Sequence, residues 1–387
     1  MVGVEERGLE ASRVLAELEE RLRGELTYSS GKILGSMCTR PHPLARRVFC
    51  KYMEKNLGDP GLFKATAKLE REAVSMLAKL LSCPSDAGFI VSGGTEANIL
   101  ALWSAREVTG RRKVVSPATA HASIAKAASM LKMELVEAPV GPDGSVDASA
   151  VEALADRDTA VIVGVAGSTD LGSVDPIEEL SEISLRRGAQ LHVDAAFGGL
   201  VLPFLRELGY PVPDFDFKVP GVCSLTVDPH KMGMAPIPAG GVLFRSWDLL
   251  KPLATHLPYL SGGGAVLFTI TGTRPGASAL AVWALFKHLG REGYRRVVAK
   301  CMEVTLHLAN EVERVDGARL VRRPLMNVVG IAFDRHSAEE VASRLRQLGW
   351  AVSTARGFLR IVVMPHVRKS HVDAFIRDLK RVLRELS

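Results

Sequence analysis

The feature that most constrains this chain is a rhythm. Between residues 88 and 245, short apolar runs recur at 88–91, 112–115, 134–138, 160–165, 190–193, 223–227 and 241–245, most of them separated by stretches with helical spacing. Apolar strands that alternate with helices cannot pair as simple hairpins. They call for an α/β fold with a mostly parallel sheet covered by helices on both faces.

The flanking regions read differently. Residues 9–24 place aliphatic and charged residues at the spacing of an amphipathic helix, and helices near 44–55 and 64–82 follow a Gly/Pro-punctuated stretch at 31–43. Past Pro252 a flexible segment, Ser261-Gly262-Gly263-Gly264, leads to a long apolar helix near 277–289 and then to smaller strands and helices. A chain of 387 residues exceeds one small core. The expected organisation is an N-terminal helical segment at 1–50, a large domain at 51–255, and a linker helix with a smaller C-terminal α+β domain at 256–387.

In a parallel sheet the loops that follow the strands gather at one edge, where ligands bind. Several of those loops carry chemistry. Residues 224–231, Ser-Leu-Thr-Val-Asp-Pro-His-Lys, end an apolar run in His230 and Lys231. A lysine at the end of a buried strand can lose its proton by desolvation and condense with an aldehyde; the plain alternative is a solvated surface lysine. Residues 191–199 end another run in Asp194 and continue with residues too small to block a planar ligand, Ala195 and Ala196 first. Asp194 alone would also suit a metal, a nucleotide or a structural role. A lysine and an aspartate at neighbouring strand ends are, however, the two groups that pyridoxal phosphate most needs.

Residues 89–95 read as a strand and a tight turn, Ser92-Gly93-Gly94-Thr95, opening a helix. Glycines admit an anion close to the backbone, and the helix N-terminus offers free N–H groups. Thr95 either adds a hydroxyl to that anion site or simply caps the helix. No lysine follows the second glycine, so this is not a Walker loop. His121 follows the 113–115 run and either stacks on a flat ligand or caps the alanine-rich helix after it. Thr169, past the 161–165 run, reaches the same edge or caps the next helix.

The order of these motifs resembles the group II pyridoxal-phosphate decarboxylases, above all their archaeal tyrosine/aspartate decarboxylase branch. The likeness covers nearly the whole chain, through residues 33–39, 56–63, 228–233 and 359–366, with Asp228-Pro229-His230-Lys231-Met232-Gly233 its most specific part. It implies the fold type I architecture of pyridoxal-phosphate-dependent transferases and pyridoxal 5'-phosphate as cofactor. It makes Lys231 the Schiff-base lysine, Asp194 the partner of the ring nitrogen and His121 the residue stacked on the ring. Gly94 and Thr95 would hold the phosphate, Ala196 would face the opposite ring side, and His230 would stand beside Lys231.

The resemblance also implies a homodimer with shared active sites, to which Thr271-Gly272-Thr273-Arg274 would contribute near the partner's phosphate; Arg274 could equally be a structural ion-pair residue. Arg360 lies where such enzymes often bind a substrate carboxylate; it could equally be a surface arginine on an edge strand. Animal-type relatives carry a long loop whose tyrosine is thought to reprotonate the substrate carbon. Here residues 260–270 are short, Gly-rich and free of tyrosine, and Tyr259 stands before them. Lys231 and His121 are then the available proton donors. Among the archaeal relatives some act on tyrosine and others on aspartate, giving β-alanine for coenzyme A. An aromatic content of 6%, an excess of basic residues and the polar segment Ser36-Met37-Cys38-Thr39-Arg40 favour aspartate, with tyrosine as the alternative and a carbon–carbon lyase or aminotransferase as the alternative of another class.

A net charge of +6 raises nucleic-acid binding, but Lys and Arg are interleaved with Asp and Glu and form no dense basic tract. No nucleic-acid partner is expected. Five cysteines without CxxC spacing indicate neither zinc nor a disulfide framework, and point to a reducing cytoplasm. Residues 1–7 carry acidic side chains and no apolar signal core, and no run reaches transmembrane length, so neither export nor membrane insertion is expected.

Overall fold

The structure, a computed structural model, describes residues 3, 4 and 6–386; Met1, Val2 and Glu5, on which part of the N-terminal reading falls, and Ser387 lie outside the described residues. Three helices come first: α1 (Ala11–Leu22), α2 (Pro43–Lys51) and α3 (Lys64–Leu80). The alternating region then runs β1 (Gly88–Val91), α4 (Gly94–Thr109), β2 (Lys113–Pro117), α5 (Ala122–Met130), β3 (Glu134–Ala138), α6 (Ala148–Leu154), β4 (Thr159–Val165), α7 (Ile177–Arg187), β5 (Gln190–Asp194), α8 (Leu202–Glu207), β6 (Val222–Val227) and β7 (Gly240–Phe244).

All seven expected strands join one sheet in the order β1-β7-β6-β5-β4-β2-β3. Strand β7 runs antiparallel to both of its neighbours, and the remaining pairs are parallel. Every residue of β4 and β5 is buried, as a strand covered on both faces requires. The register levels the strand ends: Val165 pairs with Asp194, and Asp194 with Thr226. That alignment brings the loops after β4, β5 and β6 to one edge. The helices between them obey local rules. In α7, Glu178 and Glu179 sit in the first turn and Arg186 and Arg187 in the last, complementing the helix dipole, and the helix stops at Gly188 with φ 61°.

The segment expected to be flexible is ordered. It forms the turn of a hairpin, β8 (Thr255–Leu257) and β9 (Ala265–Leu267), and the Gly262 N–H donates to both Asp59 carboxylate oxygens at 3.2 and 3.1 Å. A side chain at Gly262 would collide with the Leu62 backbone N at 2.1 Å. Glycine is present here for close backbone approach rather than for mobility.

Helix α9 (Gly276–Val312) is much longer than the expected 277–289 helix, because two helices continue across a kink at Gly290, where φ is 56° and ψ is −172°. Beyond it lie β10 (Ala318–Leu320), β11 (Val328–Phe333), α10 (Ala338–Gln347), β12 (Ser353–Ala355), β13 (Phe358–Val362) and α11 (Lys369–Leu386). These strands form an antiparallel sheet, β10-β11-β13-β12. A second core fills it with Val304, Leu308, Ile331, Leu359 and Phe375, and Leu34 from the N-terminal region belongs to that same core. The Leu34 carbonyl accepts from Val362 N at 2.7 Å, so residues 33–35 are tied to the C-terminal sheet.

Candidate active site

The edge formed by β4, β5 and β6 opens into a cavity of about 350 Å³. Lys231, His230, Asp194, Ala196, Gly94, Thr95, His121 and Thr169 all line it, so eight of the nine residues read as site residues from the sequence converge on one space. Arg360 stands behind the wall. Its Nη1 donates to the Thr169 carbonyl (2.9 Å), its Nη2 to the Gly35 carbonyl (2.6 Å) and its Nε to Ser353 Oγ (3.0 Å).

Lys231 sits in the turn after β6 and forms an ion pair with Asp228, Nζ to Oδ2 3.0 Å. The expectation that desolvation frees its amine from a proton is not met. Burial does push its pKa down, but the Asp228 and Asp194 carboxylates outweigh burial and leave it above the ordinary lysine value. His230 Nε2 lies 3.6 Å from the same Asp228 oxygen. Burial, the largest influence, lowers the His230 pKa although Asp228 opposes it.

Asp194 is the better-partnered carboxylate. Its Oδ1 accepts from Ala196 N at 3.0 Å and its Oδ2 from Asn98 Nδ2 at 2.8 Å. Asn98, on the first turns of α4, is the hub that the sequence reading did not assign. Its Nδ2 also donates to Ser123 Oγ (2.8 Å), and its Oδ1 accepts from the Thr226 hydroxyl (2.7 Å) and from His192 Nε2 (3.0 Å). The other His192 nitrogen lies 2.9 Å from Ser224 Oγ. With Nε2 donating, Nδ1 of the neutral ring accepts that hydroxyl. Burial drives the His192 pKa down to about 4, so the ring stays neutral and the network beneath Asp194 is satisfied.

The phosphate turn departs from expectation in one respect. Gly93, not Thr95, is the N-cap of α4, and Thr95 lies inside the first turn. The Glu96 carboxylate secures the turn by accepting from Ser92 N (2.8 Å) and from the Thr271 hydroxyl (3.1 Å). His121 takes the capping role, accepting from Ser123 N (3.2 Å) at the start of α5, and it also lines the cavity. Arg274 takes the ion-pair alternative. It is buried against Glu70, with Nη2 to Oε2 at 3.2 Å, and donates to the Ile90 carbonyl at 2.7 Å, which commits its guanidinium to holding α3 against β1.

These residues fit pyridoxal phosphate. Asp228 Oδ1 and His230 Nδ1 are buried beside the cavity without a hydrogen-bond partner. A Cβ on Gly94 would meet Asp228 Oδ2 at 3.0 Å, and one on Gly93 would meet His230 at 3.1 Å, so the glycines keep open a cradle at a helix N-terminus. Among the described residues no cluster of His, Cys, Asp or Glu could hold a metal ion.

A primary amine and a buried carboxylate at adjacent strand ends, with a glycine cradle at the N-terminus of α4, define a pyridoxal-phosphate enzyme of fold type I. The chain belongs to the pyridoxal-dependent decarboxylase family, whose conserved domain matches residues 44–334. It is similar to the L-aspartate decarboxylase of Thermococcus kodakarensis, 51% identical over 98% of this chain and 99% of the relative. It is also 49% identical to a probable L-tyrosine/L-aspartate decarboxylase of Methanothermobacter thermautotrophicus, over 93% of this chain and all of the relative. Among solved structures, a sphingosine-1-phosphate lyase of Burkholderia pseudomallei superposes with a TM-score of 0.91 at 28% identity, covering 99% of this chain and 93% of that one.

The residues missed in the sequence were Asn98 and Asp228. Both stand in motifs that drew attention for their neighbours. A polar residue four positions past a phosphate turn was a signal for Asn98, but its partners come from two distant strands and a second helix.

Proposed function

We propose that this protein removes the α-carboxylate of L-aspartate, giving β-alanine and carbon dioxide. The observation that carries the choice of amino acid is the 51% identity, across nearly all of both chains, to a relative named for aspartate. The tyrosine alternative keeps the support of the relative named for both. The test is an assay of the purified protein for amine and carbon dioxide with aspartate, tyrosine and glutamate. β-Alanine should dominate; tyramine in excess would overturn the choice, and a keto acid without carbon dioxide would point to transamination.

Bound pyridoxal phosphate supplies an aldehyde for the amino group and a conjugated ring that accepts the electron pair of the breaking bond. In this reading Lys231 carries the cofactor between turnovers, and Asp194 offers a carboxylate to the ring nitrogen. That carboxylate is held in place by Ala196 N and Asn98 Nδ2, so the charge facing the ring needs no reorganisation. The Gly93–Gly94 cradle and Thr95 take the phosphate, His121 and Ala196 flank the ring, and His230 stands beside Lys231. Arg360 keeps the Thr169 and Gly35 carbonyls in position and, with two N–H groups beyond the three already donated, remains the candidate for a substrate carboxylate. A tight clamp on the departing carboxylate would slow the reaction by stabilising the ground state, so a partly committed arginine suits a decarboxylase.

The enzyme is proposed to act as a homodimer in the cytoplasm. Helix α1 buries none of its residues within the chain, and Val14, Leu15, Leu18 and Leu22 are all exposed. An apolar stripe of that size is a surface for association. All five cysteines are free thiols, which suits a reducing compartment. No helix among the described residues is long and apolar enough to cross a membrane.

A further inference from the structure

The loop between residues 260 and 270 contains no tyrosine, so the reaction lacks an obvious acid for its last proton transfer. The site contains one that the geometry singles out. Lys231 Nζ lies 3.0 Å from Asp228 Oδ2, and Asp228 is itself almost wholly buried at 2%. Its second oxygen, Oδ1, has no partner. A buried carboxylate so poorly served by neutral donors requires a cation, and the ammonium of Lys231 is the cation in reach.

We propose that Asp228 is the counter-ion that keeps a proton on Lys231 Nζ, and that Lys231 thereby serves as the acid that protonates the substrate carbon after carbon dioxide leaves. Asp228 is a positioning residue in this account, acting through Lys231. The inference rests on decarboxylation as the reaction.

The protons balance over one turnover. The substrate arrives as an ammonium ion and sheds one proton as its nitrogen takes the place of Lys231; that proton stays on Nζ, opposite Asp228. Carbon dioxide departs and leaves its bonding electron pair with the substrate. Nζ then gives its proton to that carbon and becomes a neutral amine, ready to displace the product nitrogen. The released amine takes one proton from solvent, the single proton that conversion of an amino acid to an amine and carbon dioxide consumes.

The other groups around Nζ do not substitute for Asp228. From its own turn, His230 is held neutral by burial. From the end of β5, the Asp194 carboxylate is already engaged by Ala196 N and Asn98. From residues 33–39, the Cys38 thiol has its pKa raised by burial and so carries no charge to spare. His121 lines the same cavity but turns Nδ1 to the backbone and hydroxyl of Ser123.

The test compares wild type with the near-isosteric Asp228→Asn. The rate at which cofactor-free protein couples to pyridoxal phosphate, trapped by borohydride and located at Lys231 by mass spectrometry, is followed against pH. A free amine is the reacting form, so the midpoint of the profile reports the lysine. The wild-type rate should still be climbing near pH 10, and the Asp228→Asn midpoint should fall by about 1–3 pH units, the range for loss of an adjacent opposite charge. In turnover, kcat of Asp228→Asn should drop by roughly a hundredfold, the scale of general-acid catalysis, with KM changed far less.

An unchanged midpoint in Asp228→Asn overturns the proposal. So does a wild-type midpoint below the ordinary lysine range, a measurement that needs no variant to fold. Loss of proton delivery in His121→Gln with full kcat in Asp228→Asn would assign the acid to His121 instead. If wild type releases no carbon dioxide from any amino acid, the decarboxylase reading fails, whereas the coupling profile still decides the ion pair.

Discussion

Two regions of this molecule handle their unsatisfied groups in opposite ways. At the floor of the cavity, the polar atoms of Asn98, Asp194, His192, Thr226 and Ser123 meet one another in a buried hydrogen-bond network. On α1 and at the turn of the β8–β9 hairpin, large apolar side chains, Leu15 and Tyr259 among them, face outward with nothing from the same chain to cover them. The network is complete within one chain because each of its atoms is expensive to strand. The apolar surface can wait, because exposure costs it only what a partner later returns. Preorganisation of the site's electrostatics is thus a property of the single chain, whereas the association we propose would use the rim.

That contrast can be broken in graded steps. The largest effect should come from Lys231→Ala, which removes the covalent anchor: amine production should fall by roughly a thousandfold or more, and the visible absorbance of the cofactor-bound protein should vanish. If that variant kept its absorbance, the site would be elsewhere.

Next comes the buried pair that joins the phosphate-turn strand to its supporting helix. Arg274→Ala strands the Glu70 carboxylate and should cost about 3–5 kcal/mol in urea unfolding, as loss of one partner of a buried ion pair does. A change below about 1 kcal/mol would show that water reaches Glu70.

Asn98→Leu keeps the volume of the hub but removes its donors and acceptor. It should lower stability by about 1–3 kcal/mol and weaken cofactor affinity, since Asp194 loses one of its two donors. Unchanged cofactor affinity would mean that Ala196 N alone orients the carboxylate.

The network also sets a pH response. The His192 pKa is pushed from 6.5 to about 4 by burial, so between those values the unfolded chain binds a proton that the folded chain refuses. Stability from this source is therefore undiminished above pH 6.5 and falls as pH drops toward 4. Between pH 7 and pH 5 the loss should be about 2 kcal/mol. Burial moves Asp175 the other way, up to about 7, and it opposes the trend over the same window. The comparison of wild type with His192→Gln isolates the histidine: the variant should lose less stability on acidification, and an equal loss would refute a neutral His192.

The smallest effect on folding should come from the rim. Leu15→Asp together with Leu18→Asp should leave the unfolding midpoint of a single chain nearly unchanged but shift sedimentation from dimer toward monomer. A variant that stays dimeric would place the interface on another face.

Much of the fold was legible because it follows from local rules. All seven large-sheet strands lie where the apolar runs place them, and the convergence of eight candidate residues on one cavity was readable because loops after parallel strands share an edge. The failures have a common form. Residues 261–264 read as flexible because glycine usually signals freedom, whereas here it permits Gly262 to lie against Gly61 and Leu62. Arg274 could not be assigned because its partner Glu70 lies on a distant helix. The protonation of Lys231 was misjudged because desolvation can be read from one strand, but the charges opposing it come from Asp228 and from Asp194 on the neighbouring strand.

The sequence by itself determined the alternation of strands and helices, the lysine, aspartate and glycine turn that suit pyridoxal phosphate, and the family to which that order belongs. These are properties of short segments, written in periodicity and residue type. The tertiary structure decided which carboxylate faces which cation, which amide carries the network and what each buried arginine holds. Those outcomes depend on distances between residues far apart in the chain, and a change of one ångström in them decides whether a buried charge is paired or stranded.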